Sequence, residues 1–107
     1  DQKENFNYIT KILKHFKKIA SERKSIPIVV ILDNGVSFLD RVNHPNPWEE
    51  FKNSLDEIGL KYIDPSDSLY QHFKIDPSIV INSNGVHYTP KSNEIVAEIV
   101  KLKLINR

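Results

Sequence analysis

The sequence predicts a layered α/β fold around a parallel sheet. Three observations lead there: a continuous apolar run at residues 26–32, a second shorter run at 60–64, and stretches of helical periodicity on either side of each. With that order, the strands connect through right-handed parallel crossovers.

Residues 3–24 space Phe6, Ile9, Ile12, Leu13, Phe16, Ile19 and Ala20 three or four apart, with Lys11, Lys14, Lys17 and Lys18 between them, which predicts an amphipathic helix with a solvated lysine face. Ile26 to Leu32 carries a proline only near its start and reads as a central strand covered on both faces. The stretch from Asp33 to Pro45 is polar and reads as a loop. Asn46, Pro47 and Glu49 then supply an N-cap, an N1 proline and an N3 acid to a helix whose stripe is Trp48, Phe51, Leu55 and Ile58. Gly59 suits the left-handed position that ends it. Leu60 to Asp64 is expected as the second strand, Ser66 to Lys74 as a short helix presenting Leu69 and Phe73, and Ile79 to Ile81 as an extended segment entering the turn Asn82-Ser83-Asn84-Gly85. Thr89 caps the last helix and Pro90 opens it, with Ile95, Val96, Ile99, Val100 and Leu102 on its apolar face.

No repeat or linker divides this pattern, so residues 1–107 are expected to form a single unit. Two strands make a poor sheet, and both want neighbours. Further strands are therefore expected from an upstream part of the same domain or from another copy of the chain. A start at Asp1 rather than methionine is likewise expected of a segment of a longer protein.

Fifteen basic side chains against fourteen acidic ones leave no field to recruit nucleic acid. No apolar run reaches the roughly 20 residues that span a bilayer. The absence of cysteine excludes disulfides, thiolate metal ligands and a thiol nucleophile. No cofactor is implied, and no fixed spacing supports a metal site built from His44, His87 and an aspartate.

In parallel α/β sheets, ligands bind beyond the carboxyl ends of the strands. That rule selects three segments here: Asp33 to His44, Asp64 to Asp67, and Asn84 to Thr89. In the first, Asp33, Asn34 and Asp40 are candidates to bind substrate or a cation, although Asp-Asn-Gly is also an ordinary turn. His44, between an asparagine and a proline, is either a loop residue or part of a cleft wall. Trp48, Phe51, Tyr62 and Phe73 are core candidates.

The segment Asn84-Gly85-Val86-His87-Tyr88-Thr89-Pro90, leading into Asn93-Glu94-Ile95-Val96-Ala97, resembles the last block of the SGNH (GDSL-like) hydrolases. That block is Asp-Gly-x-His, then a small polar or proline residue, then a helix. The preceding order resembles the family's layout too: a helix, "IPIVVIL", a helix, "GLKYIDPSDSLYQHF", then the histidine. The likeness covers most of the chain, and only the final block is a motif.

The resemblance implies an SGNH-type, flavodoxin-like three-layer fold of which this chain is the C-terminal half. It implies that His87 is the catalytic base, taking a proton from a serine and returning it to the leaving group of a small ester or acylated substrate. Asn84 stands where the family usually places an aspartate, and an amide orients the ring without stabilising imidazolium by charge. The family's Gly-Asp-Ser serine, its backbone-donating glycine and its Gly-x-Asn-Asp asparagine have no match, so the chain alone is expected to hydrolyse nothing. The alternative is a non-catalytic binding or assembly module derived from the same fold, which Asn84 and the missing nucleophile favour. A receiver-like or flavodoxin-like reading lacks both the acidic cluster with its lysine and the glycine-rich turn.

Overall fold

The computed structural model describes residues 2–82 and 87–106. They form a mixed α/β structure that is mostly helical: α1 (Gln2–Glu22), β1 (Ile28–Val30), α2 (Gly35–Asp40), α3 (Glu49–Glu57), β2 (Lys61–Ile63), α4 (Ser66–Ile75), α5 (Pro77–Val80) and α6 (Pro90–Ile105). Among the described residues the sheet has two strands, β1 and β2, paired in parallel. Contacts divide the chain into two compact units, Asp1–Val29 with Trp48–Tyr62, and Val30–Pro47 with Ile63–Arg107.

In the first unit, α1 packs on α3. Phe6 reaches the rings of Phe51 (centroids 5.4 Å apart) and Trp48 (6.4 Å). Lys17 extends its ammonium to the carbonyl oxygen of Ile58 at 2.7 Å, satisfying an orphan acceptor at the end of α3. Gly59 follows with φ +69°, the left-handed conformation expected of it, and the chain turns back to bury Leu60 beside Leu55. Only part of the apolar arc of α1 is covered: Ile12 and Phe16 remain 55% and 46% exposed.

In the second unit, Phe38, Leu69, Val80 and Ile81 form a buried cluster, with Tyr70, Phe73, Tyr88, Ile95 and Val96 packed against it. Phe38 stacks on Phe73 at 5.4 Å and Tyr70 at 6.3 Å. α6 starts as the sequence predicts, with Thr89 Oγ1 accepting the Ser92 N–H at 3.1 Å and Pro90 at the first helical position. The buried Ser92 donates its hydroxyl to the Val80 carbonyl at 2.6 Å, which fastens α6 to α5.

Four expectations are corrected. The run 26–32 contributes a strand of three residues, and Val30 and Leu32 are exposed, so it is not a strand covered on both faces. The polar stretch after it contains α2, capped by the Asn34 side chain, whose Oδ1 accepts the Ser37 N–H at 2.9 Å. α3 begins at Glu49 with Trp48 at the cap, two residues later than Asn46 and Pro47 suggest. The segment expected to be extended at 79–81 is helical up to Val80, because Asp76 caps it and Pro77 occupies N1; Ile81 alone is extended and forms an antiparallel bridge with Tyr88.

Candidate functional site at the strand ends

An aspartate follows each strand, Asp33 three residues beyond β1 and Asp64 directly after β2. Parallel pairing puts these ends on the same edge of the sheet, where Ile31 donates its N–H to the Ile63 carbonyl at 2.9 Å. α2 leaves from Asp33 and α4 from Pro65, so the first turns of both helices start at that edge.

Arg41, at the C-terminal end of α2, joins the two. Its Nε and Nη2 donate to Asp33 Oδ2 at 3.2 and 2.9 Å, Nη2 also donates to Ser66 Oγ at 2.6 Å, and Nη1 donates to Asp67 Oδ1 at 2.7 Å. The Ser66 hydroxyl in turn donates to Asp64 Oδ1, which also accepts the Ser66 N–H at 2.9 Å. Ser37 donates its hydroxyl to the remaining Asp33 oxygen at 2.9 Å. The Arg41 and Asp33 side chains are 3% and 0% exposed, and the guanidinium lies 5.3 Å from the centre of the Tyr70 ring. Burial works against the Arg41 charge, but the hydrogen bonds and charges of Asp67 and Asp33 outweigh it and hold its pKa above the ordinary value. Among the described residues no buried side-chain nitrogen or oxygen lacks a partner, so this network is saturated, and Ser66, fully buried within it, is closed to substrate.

The third segment arrives through Tyr88, whose hydroxyl donates to the Asp33 carbonyl oxygen at 2.5 Å. Burial, then the Asp33 charge, push the Tyr88 hydroxyl up to about 12. Because ionisation is harder folded than unfolded, this group's contribution to stability is complete below pH ~10, the ordinary tyrosine value, and is lost as pH rises through about 12. An absorbance titration at 295 nm should therefore show a tyrosine ionisation at about pH 12 that is absent from Tyr88→Phe, with the unfolding midpoint of the wild type falling as pH rises toward that value.

Of the residues singled out in the sequence, His87 is exposed, one residue before Tyr88, and its carbonyl accepts the Asn82 N–H at 3.0 Å. Asn84 lies outside the described residues. Asp33 is buried with its carboxylate engaged by Arg41 and Ser37. Asn34 caps α2 and, with Ser37, Leu39 and Asp40, lines a shallow open depression of about 500 Å³. His44 is exposed, its Nδ1 2.8 Å from Asp40 Oδ2. The first segment's candidates thus gather around α2, whereas His87 joins that region through its neighbour Tyr88. Among the described residues no group of three or more His, Asp or Glu could hold a metal ion, and no helix is long and apolar enough to cross a membrane.

Arg41, Ser66 and Asp67 were not singled out individually. Their pairings span 25 and 26 residues of sequence and follow no local pattern. The available signal was the aspartate directly after each apolar run, because a carboxylate so close to the core requires a partner. Comparison of the chain with protein-family models, curated proteins and solved structures finds no match.

Proposed function

We propose that this chain is the histidine-bearing C-terminal portion of an SGNH-type α/β/α ester hydrolase. In this reading the β1–β2 pair belongs to a larger parallel sheet, completed by the rest of the same domain. A serine from that remainder gives its Oγ proton to the His87 imidazole as it attacks the carbonyl of a small ester or acylated substrate. The imidazolium then returns that proton to the departing alkoxide. In sequence, Asn84 stands where the family has its aspartate.

One observation carries the proposal. His87 is exposed directly ahead of a well-capped helix, and its neighbour Tyr88 is fastened to the backbone at the carboxyl end of β1. That edge is where parallel α/β sheets place their ligands. The uncovered side of α1 and a sheet of two strands among the described residues support a complement from elsewhere.

The test is p-nitrophenyl acetate hydrolysis by the complete polypeptide that carries this chain. His87→Ala is expected to lower kcat by about 10²- to 10⁴-fold, the usual contribution of general acid–base catalysis. The 107-residue chain alone should give background rates. Equal kcat in wild type and His87→Ala overturns the proposal, and no hydrolysis by either favours the assembly module, the reading to which Asn84 points.

A further inference from the structure

Tyr88 stands out because its hydroxyl bond is the long-range tie of a short segment, linking residues 55 apart in sequence. Its acceptor is itself immobilised: Asp33 receives Ser37 and Arg41 on its carboxylate while its carbonyl receives Tyr88. The Tyr88 ring packs against Phe38 at 6.5 Å, so both the apolar body and the polar tip of the side chain have fixed partners. Around it, Asn82 donates to the His87 carbonyl, Thr89 donates its N–H to the Val80 carbonyl at 3.0 Å, and Thr89 Oγ1 donates to the Ile79 carbonyl. The backbone of residues 87–89 is thereby held from both sides while the His87 side chain stays exposed.

We infer that Tyr88 is the positioning residue for His87, setting the backbone from which the imidazole projects by anchoring it to the end of β1. This rests on the hydrolase reading for its catalytic consequence but not for its structural one. Because the hydroxyl stays protonated up to about 12, it remains a donor throughout the range in which an imidazole serves as a base. A phenylalanine keeps the ring in the core and removes only the anchor.

The experiment compares Tyr88→Phe with Ile95→Val, a control that trims the same apolar cluster and, having no polar side chain, leaves the hydrogen bonds of the segment in place. In the 107-residue chain, ¹⁵N relaxation should show the order parameters of His87 and Tyr88 falling from about 0.85 toward 0.6 in Tyr88→Phe and unchanged in Ile95→Val. In the complete polypeptide, Tyr88→Phe should lose about tenfold in kcat with KM within about twofold, the pattern of a displaced catalytic group, and Ile95→Val should lose neither. Unchanged order at His87 in Tyr88→Phe overturns the inference, as does a kcat equal to wild type in a polypeptide that depends on His87. A polypeptide that hydrolyses no ester while Tyr88→Phe still loosens His87 removes the hydrolase reading and leaves the anchoring role standing.

Discussion

Replacing Arg41 by methionine should destabilise the second unit by roughly 3–5 kcal/mol, the cost of removing one partner from a buried ion pair. The magnitude follows from what is left behind. Asp33 has a fully buried side chain, and without the guanidinium its carboxylate loses its cationic partner while keeping the Ser37 hydroxyl. Ser66 loses a donor at the same time, and Asp67 loses its partner at little cost because its side chain is 71% exposed. The penalty is one of stranding rather than of lost attraction, which gives the test a second arm. Adding Asp33→Asn to Arg41→Met removes the stranded charge, so the double variant should be more stable than the sum of the two single losses by about 1–3 kcal/mol. Urea unfolding followed by circular dichroism gives all three values, and strict additivity would show that the pair is not coupled.

Phe38→Ala is expected to cost a similar amount, roughly 3–5 kcal/mol, for a different reason. The ring is 1% exposed and touches Tyr70, Phe73 and Tyr88, with Arg41 5.9 Å from its centre. Removing it opens a cavity among flat aromatic faces that cannot close without moving several elements. Phe38→Leu, which fills part of that space, should recover about half of the loss. Both variants read out in the same urea titration, and a loss below about 1 kcal/mol for Phe38→Ala would show that this cluster is not the core of the unit.

The sequence announced those elements whose determinants are local. Thr89 and Pro90 name the start of α6, Gly59 names the turn after α3, and the spacing of Phe6, Leu13 and Ala20 names the face of α1. α2 was hidden because a six-residue helix is too short to show periodicity and Asp33-Asn34-Gly35 is also turn chemistry. It is held by tertiary contacts, Phe38 into the core and Arg41 onto Asp33. α5 was misread because Ile79, Val80 and Ile81 look like strand, although Asp76 and Pro77 already carried the helix-start signal. For the site, the three segments beyond the strands were legible from the parallel-sheet rule, and hydrogen bonds from Arg41 and Tyr88 connect them. The identity of those two connectors was not legible, since the bonds by which they join the segments reach 25, 26 and 55 residues along the sequence.

The most direct test of the hydrolase reading is intact-mass analysis after reaction with a fluorophosphonate, which phosphonylates an activated serine hydroxyl with loss of fluoride. The complete polypeptide should gain one adduct, on a serine outside these 107 residues, at a rate at least about 100-fold slower in His87→Ala. The chain alone should gain none. An adduct on a serine within the chain, or equal labelling rates with and without the imidazole, would contradict the assignment of His87 as the base.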